Sequence, residues 1–380
     1  MTEPTPTDCG DDGIGEGVGD DGPAADPRGW TLSRTVSVGD LGALGEPLSQ
    51  HNGQAIAVRP LTDHPGWLAK LYRPDQRPED AHRLDLLISA PGTLPEADRA
   101  ALYAGTCWPA ARIHEPGNPA VGCVLPMAPE QYRSELRRGG FSERRFVEID
   151  WLAKSDESIR RIGLPPPGFG GRLAACRQLT ELAAILENLG LVYSDWSFSN
   201  AFWSPDRRSV YLIDVDGCRP TKMPDLHQPN WADPLTPQGT DADTYTDRYR
   251  LGLLVAKCMT GRRDAHAFHS VASPWPHQPA VSDVLLDMLL ATDRERRPSA
   301  AQLNQALYGG PYLRTVPRPA RAELPPLPSE TSPRSSAENP VPETVEEKQQ
   351  PASTSPTSRN GWIFVLVLAV IVVFIIALNH

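Results

Sequence analysis

The sequence predicts an α+β fold with a small β-rich N-terminal part, a larger α-helical C-terminal part and one additional transmembrane helix. Two short segments, 54–58 and 67–72, flank an Asp-His-Pro-Gly turn and are typical of paired strands. Apolar side chains at helical spacing extend from Leu173 to Leu189 and stop before Gly190. The C-terminal end contains an uncharged apolar run of a length typical of membrane helices.

Composition divides the 380 residues into four segments. Residues 1–28 carry eight acidic groups against one arginine, with few large apolar residues, so we expect a disordered acidic head. Residues 29–314 are the predicted folded domain, and the 40% hydrophobic content of the chain is enough for a sizeable core. Residues 315–360 contain ten prolines and many Ser and Thr, which is typical of a linker. Residues 361–380 are the predicted tail anchor.

Charge and cysteine content exclude two classes of function. The net charge of −10 resides mainly in the head, and the folded domain keeps only about −2, too little positive charge for a nucleic-acid partner. The cysteines contain no CxxC pair or Cys/His cluster, so neither a zinc site nor a disulfide framework is indicated. A reducing cytoplasm suits such a pattern.

The apolar run at residues 362–378 predicts the membrane contact. Its 17 residues without a charge span roughly 26 Å as a helix, at the short end of what crosses a bilayer. A buried helix of a soluble core is the alternative, but this run follows a polar linker and is apolar on all faces. Arg359 precedes it, which favours a single-pass protein with its N-terminal domain in the cytoplasm.

A polar constellation follows the predicted helix. Its loop carries Asp195 and Asn200, and the alternating segment 210–213 then predicts a strand that ends at Asp214. Phosphoryl transfer needs a carboxylate near the acceptor hydroxyl, oxygen ligands for magnesium and a cation on the phosphates. These side chains are suited to the first two tasks. An Asx-turn followed by a helix cap would also explain Asp195 and Asn200.

These residues resemble the motifs of Hanks-type (eukaryotic-like, bacterial) Ser/Thr protein kinases, over roughly residues 30–313. YSDWSFSN is similar to the catalytic loop HRDLxxxN, and LIDVDG is similar to the strand that leads into DFG. The resemblance implies a bilobal protein-kinase-like fold that uses ATP and Mg²⁺ or Mn²⁺. It also implies that Asp195 is the catalytic base and that Asn200 and Asp214 are metal ligands.

Three further segments of the C-terminal part follow in the family's order. Residues 236–238 resemble APE, residues 247–261 resemble the DxWSxG helix, and residues 294–303 resemble the arginine-containing end of the kinase domain. These segments favour protein kinases over small-molecule phosphotransferases, which share the Asp-x-x-x-x-Asn loop.

In the N-terminal part the resemblance implies three more site residues. WLAKLY is similar to the VAIK strand and offers Lys70 as the phosphate-binding cation, although a solvated lysine is the alternative. Gly53 is the one glycine left of the glycine-rich loop and the expected nucleotide contact there. Asp85, on the next predicted helix, is the expected acidic partner of Lys70.

Several positions depart from the family pattern. Ser194 replaces the arginine that holds a phosphorylated activation loop, and Ser197 replaces a lysine near the transferred phosphate. Asp216 replaces a glycine and is expected to be a solvated turn residue, with a second metal ligand as the alternative. Gln238 replaces the APE glutamate, so Arg297 is expected to lack its buried ion pair.

Two functions from different classes follow. The first is a Ser/Thr kinase that phosphorylates a protein, of unknown identity, at the cytoplasmic face of a membrane. The second is a pseudokinase that binds partners, with or without nucleotide, and transfers no phosphate. The interval 137–170 is longer than a compact kinase requires, and we expect a surface excursion there, with a lid or docking element as the alternative.

Overall fold

The structure is a computed structural model that describes most of the predicted domain. The described residues are 26–52, 55–77, 81–138, 140–223, 231–237, 239–264, 266–272, 275 and 278–314. Gly53, Gln238 and the predicted membrane segment 362–378 lie outside them. Within the described ranges, no helix is both long enough and apolar enough to span a membrane.

A six-stranded mixed sheet forms the sheet lobe, residues 26–126. Its strands are β1 (Thr35–Ser37), β2 (Ser49–Asn52), β3 (Ala55–Pro60), β4 (Trp67–Tyr72), β5 (Ala111–Glu115) and β6 (Asn118–Pro126). Their spatial order is β1-β5-β6-β4-β3-β2, with β1 and β5 parallel and the other pairs antiparallel. The predicted strand 67–72 is confirmed, and the strand predicted at 54–58 is observed as β3.

Two helices lie between β4 and β5 in the chain; the first packs beside β5, and the second packs against the second lobe. They are α1 (His82–Ser89) and α2 (Glu96–Gly105). Helix α1 buries Leu84, Leu87 and Ile88 because these apolar residues recur at helical spacing on one face. At the start of the lobe, Arg28 donates a 2.5 Å hydrogen bond to the carbonyl oxygen of Trp108. The residues just before Gly29 therefore contact the folded domain.

The interval 137–170 contains an exposed hairpin strand followed by a section that is partly buried in the core. It includes the strand β8 (Phe141–Phe146), which pairs with β7 (Arg133–Arg138), and the helix α3 (Asp156–Arg161). Val147, Ile149 and Leu152 are fully buried in the main hydrophobic cluster. The prediction of a surface excursion is therefore wrong for its middle section, because these side chains pack inward after the hairpin.

Helices build the helical lobe, residues 127–314. They are α4 (Gly168–Asn188), α5 (Thr244–Thr260), α6 (His266–Ala272), α7 (Pro279–Leu290) and α8 (Ala300–Leu307). The helix predicted at 173–189 is confirmed as α4, which begins one turn earlier. Asp243 caps α5 by accepting hydrogen bonds from the amides of Tyr245 and Thr246, and Gly261 ends it at a positive φ of 65°.

Short strands position the loops between α4 and α5. They are β9 (Leu191–Val192), β10 (Ala201–Ser204), β11 (Ser209–Leu212), β12 (Arg219–Pro220), β13 (Lys222–Met223) and β14 (Ala242–Asp243). β10 and β11 form an antiparallel hairpin, and β9 pairs with β12. The predicted strand at 210–213 is thus observed as β11. Asn200 and Ile213 flank the open end of this hairpin.

The five cysteines in the described ranges are buried, and none of them forms a disulfide; they are Cys107, Cys123, Cys176, Cys218 and Cys258. Burial raises the pKa of the Cys107 thiol to about 12. It also raises the pKa of Cys123 well above its usual value. The thiols of Cys107 and Cys123 therefore remain protonated at neutral pH.

Candidate active site

The conformation of the loop after β9 is set by hydrogen bonds to its backbone amides and by a left-handed residue. Ser194 adopts a left-handed conformation with φ of 61°, which turns the following residue away from the strand. Asp247 of α5 accepts hydrogen bonds from the amides of Tyr193 and Ser194, each at 2.7 Å. Burial raises the pKa of the Asp247 carboxyl to about 7, and these two hydrogen bonds partly oppose that rise. Helix α5 thus anchors the loop that carries Asp195.

Asp195, Asn200 and Asp214 are brought together, as the sequence predicts. The side-chain amide of Asn200 donates to the carbonyl oxygen of Asp195 at 3.0 Å. The carbonyl oxygen of Asn200 accepts from the amide of Ile213 at 3.0 Å, which places Asp214 next along the chain. Asn200 is buried and Asp195 is partly exposed. The loop and the end of β11 therefore form one polar surface.

Tyr193 ties the two halves of this surface together. Its hydroxyl donates to the carbonyl oxygen of Ile213 at 2.6 Å and lies 3.4 Å from the carbonyl oxygen of Asn200. The ring is buried and packs edge-on against Trp196, with centroids 4.8 Å apart. A tyrosine at this position has two roles: its hydroxyl group makes the buried hydrogen bond, and its aromatic ring fills space in the core.

Lys70 of β4 reaches the same site from the sheet lobe. Its Nζ lies 3.0 Å from Oδ1 of Asp214 and 2.8 Å from Oδ1 of Asp216. The lysine side chain is only 4% exposed. Burial by itself would lower the pKa of Lys70, but Asp216 and Asp214 outweigh it and hold that pKa above its usual value. Lys70 is therefore a buried, paired cation, and the alternative of a solvated lysine is wrong.

Asp216 is buried as well, so the expectation of a solvated turn residue is wrong. Its side chain is 1% exposed, and its Oδ2 accepts a 2.9 Å hydrogen bond from the hydroxyl of Tyr72. The short 3₁₀ turn Val215–Gly217 directs this carboxylate into the protein, whereas the side chain of Asp214 is 46% exposed. The two aspartates therefore have different surroundings although they are two residues apart.

Asp85 is not the partner of Lys70, which corrects that prediction. Its Oδ1 instead accepts from Nε of Arg112 on β5 at 2.8 Å. The residue of α1 that contacts the Asp214–Asp216 segment is Arg83, whose Nη1 donates to the carbonyl oxygens of Asp216 at 2.7 Å and Cys218 at 3.2 Å. Asp85 lies two residues along the helix and faces another direction.

Arg297 has a buried carboxylate partner, contrary to the expectation from Gln238. Its two terminal nitrogens donate to the two carboxylate oxygens of Asp233, each at 2.6 Å, and both side chains are 0% exposed. Burial would raise the pKa of Asp233, but hydrogen bonds from Arg297, Leu235 and Thr236 hold it below its usual value. The partner thus comes from five residues before Gln238.

Ser194, which stands where the kinase pattern has an arginine, is contacted by an arginine from α5. Arg250 of α5 is buried and donates to the carbonyl oxygen of Ser194 at 2.7 Å and to its hydroxyl at 2.9 Å. The Nε of the same side chain donates to the carbonyl oxygen of Trp231 at 3.2 Å. Arg250 therefore links the loop that carries Asp195 to Trp231.

The donor set at this site fits a hard divalent cation. Asn200 and Asp214 offer amide and carboxylate oxygens, which Mg²⁺ and Mn²⁺ prefer. In the described part of the chain, no group of three or more His, Cys, Asp or Glu side chains is arranged to hold a metal. A metal at Asn200 and Asp214 would therefore take its remaining ligands from phosphate oxygens and water.

Three contacts were not predicted from the sequence: that of Asp216 with Lys70, that of Asp233 with Arg297, and that of Arg250 with Ser194. The Asp-x-Asp spacing after β11 is a local signal for Asp216, because a turn separates the directions of two such side chains. Asp233 lies in an irregular segment without periodicity, so no pattern singles it out. Arg250 occurs within DRYRLG, where helical spacing from Asp247 places both on a similar face.

Comparisons with known proteins find structures but no sequence relatives. No protein-family model matches the chain, and no curated protein matches it either. Among solved structures, the ROP18 kinase domain in complex with AMP-PNP and sucrose is similar at 16% identity and a TM-score of 0.47, covering 70% of this chain and 79% of that one.

Two further kinase-like structures are similar to the same extent. A rhoptry antigen kinase domain from Toxoplasma gondii has 14% identity and a TM-score of 0.45, covering 70% of this chain and 81% of that one. ROP2 from Toxoplasma gondii, described as a virulence factor with a protein-kinase fold and no enzymatic activity, has 15% identity and a TM-score of 0.45, covering 70% and 79%.

Proposed function

We propose that this protein transfers the γ-phosphoryl group of Mg-ATP to a Ser or Thr hydroxyl of a protein at the cytoplasmic face of a membrane. The observation that carries the proposal is the convergence of Lys70, Asp214, Asn200 and Asp195 at the junction of the two lobes. Lys70 comes from a distant part of the sequence, whereas Asp195, Asn200 and Asp214 belong to one loop-and-strand unit. Together the four residues supply each polar group that phosphoryl transfer requires.

The residues divide the reaction as follows. Lys70 neutralises charge on the nucleotide phosphates, and Asn200 with Asp214 would hold the magnesium ion, which supplies further charge neutralisation when bound. Asp195 accepts the proton of the acceptor hydroxyl. The hydroxyl oxygen bonds to the γ-phosphorus, the bond from that phosphorus to the bridging oxygen breaks, and ADP leaves.

The finer parts of the proposal have separate support. A protein acceptor is favoured by the segments at 247–261 and 294–303, which resemble protein kinases. The membrane location is supported by the apolar run at 362–378 and by Arg359 before it. The polar 315–360 segment would give the domain a reach of roughly 35–40 Å from its anchor.

A nucleotide-binding or partner-binding pseudokinase is the second candidate, and Ser197 is the observation that favours it. This side chain is 6% exposed and its hydroxyl contacts that of Ser199 at 3.2 Å. A lysine at this position would add positive charge near the transferred phosphate, whereas the serine adds none. Slow or absent transfer with intact nucleotide binding is the behaviour that this candidate predicts.

Transfer of radiolabelled phosphate from ATP tests the proposal. The full chain, purified in detergent, is incubated with a generic protein acceptor and with either Mg²⁺ or Mn²⁺, and Asp195→Ala serves as the variant without a base. Label on Ser or Thr that disappears in this variant supports the kinase. Nucleotide binding without transfer supports the pseudokinase, and the absence of both in folded protein contradicts any nucleotide-dependent function.

A further inference from the structure

The Nζ of Lys70 lies between two carboxylates of unequal exposure. Asp214 is half-exposed and is a candidate metal ligand, whereas Asp216 is almost fully buried. Burying a lysine without a fixed counter-charge is unfavourable, because its ammonium group loses its hydration. A single, partly solvated carboxylate compensates for only part of that loss. Asp216 is therefore the partner that remains when Asp214 engages other groups.

Asp216 is itself held on several sides. Its second carboxylate oxygen accepts from Tyr72, which stands two residues after Lys70 on the same strand and the same face. Its backbone carbonyl accepts from Arg83 of α1. Strand β4 thus contacts both oxygens of the Asp216 carboxylate, one through the ammonium group of Lys70 and the other through the hydroxyl group of Tyr72.

Helix α1 contributes no acid to this arrangement in the described structure. Its Asp85 faces Arg112, and its contact with the Asp216 turn is made by a cation, Arg83. The position of Lys70 consequently depends on the turn after β11 and on β4. It does not depend on a carboxylate that moves with the helix.

We propose that Asp216 is the positioning residue that holds Lys70 for the nucleotide phosphates, through contacts that helix α1 does not supply. The inference rests on the proposed function for its nucleotide part. Its structural part, that Asp216 and not Asp85 fixes the lysine, stands on geometry alone. The two parts can therefore be measured separately.

The experiment compares Asp216→Asn with the rival Asp85→Asn in the full chain. The first readout is the modification rate of Lys70 by an amine-reactive ester, followed by mass spectrometry, with the exposed Lys222 as the reference in each sample. The second is the equilibrium affinity for Mg-ATP, measured by displacement of a fluorescent ATP analogue. Both readouts are independent of phosphate transfer.

We expect Asp216→Asn to accelerate Lys70 modification and to weaken Mg-ATP binding about tenfold, because one charge-assisted contact of the lysine is lost. Asp85→Asn should leave both quantities at their wild-type values. Tyr72→Phe removes the hydroxyl contact and keeps both charges, so it should move both readouts in the same direction by less. Tyr72→Phe also tests the inference if the Asp216→Asn variant does not fold.

Two results would overturn the inference. One is an unchanged Lys70 modification rate in folded Asp216→Asn and Tyr72→Phe proteins. The other is an equal acceleration in Asp85→Asn. A wild-type chain that binds no Mg-ATP would instead refute the proposed function and the nucleotide part, while the modification rates would still decide which aspartate fixes Lys70.

Discussion

The two lobes hold their buried cations in different ways. In the helical lobe, Arg297 and Asp233 form a closed pair in which both carboxylate oxygens are used and neither side chain is exposed. Between the lobes, Lys70 contacts one buried carboxylate, Asp216, and one half-exposed carboxylate, Asp214. A closed pair serves stability, whereas an open one leaves a charged group accessible to ligands. The difference predicts which substitutions affect folding and which affect chemistry.

The largest effect on stability is expected at the closed pair. Asp233→Ala leaves the guanidinium of Arg297 buried without its carboxylate, which should lower the free energy of unfolding by about 3–5 kcal/mol. Chemical denaturation measures this change. The double variant Asp233→Leu, Arg297→Met is the control and should recover much of the loss, because it leaves no unpaired charge. A loss below 1 kcal/mol in the single variant would contradict a closed structural pair.

At the open pair we expect the largest effect on chemistry. Asp214→Ala should lower phosphate transfer by about 10²–10³-fold, because it removes the exposed carboxylate that we propose as a metal ligand. Stability should change much less, since Asp216 still pairs with Lys70. Transfer rates and denaturation curves of the same preparation give both quantities. If Asp214→Ala lowered stability as strongly as Asp233→Ala does, Asp214 would have a structural role like that of Asp233, and the distinction between the two pairs would be wrong.

Asp247 should give stability a specific pH dependence. Its pKa of about 7 in the folded protein lies above that of an unfolded aspartate, so the folded state keeps its proton to higher pH. Its contribution to stability is therefore full below about pH 4 and is lost progressively as the pH rises to about 7. The stability of the wild type relative to Asp247→Asn should therefore fall over this range when measured by denaturation, because the amide does not titrate. A difference independent of pH would contradict the raised pKa.

The smallest effect is expected at Tyr193. Tyr193→Phe leaves the carbonyl oxygen of Ile213 without its hydroxyl donor in a buried location, which should cost about 1–2 kcal/mol of stability. The ring remains and keeps its packing against Trp196. Thermal unfolding measures the change. A Tyr193→Leu variant, which also removes the aromatic ring, should be less stable than Tyr193→Phe.

The sequence predicts the site residues more reliably than it predicts their partners. Asp195, Asn200 and Asp214 come within one helix–loop–strand unit, where periodicity and turn chemistry fix the backbone. The partners depend on tertiary packing. Asp216 is 146 residues from Lys70, and Asp233 is 64 residues from Arg297.

Burial cannot be inferred from a short polar segment. Asp216 looks like an ordinary turn residue because Gly217 follows it, yet the 3₁₀ turn directs its carboxylate toward β4. Asp85 is placed on a helix as predicted, but the rotation of that helix turns it toward Arg112. The approximate positions of β3, β4, α4 and β11 were therefore accessible from the sequence, whereas the orientations of the Asp216 and Asp85 side chains were not.

A thiol and an amine near the site are both protonated, which has a consequence for chemical probes. The sulfur of Cys123 lies 3.2 Å from the Tyr72 hydroxyl, and burial keeps this thiol from ionising. The amine of Lys70 is likewise held in its protonated form by two carboxylates. Acrylamides and other electrophilic warheads react with thiolates and neutral amines, and Cys123 and Lys70 offer neither in quantity. A reversible inhibitor that competes for the groups proposed to bind phosphate is therefore the better design for this protein.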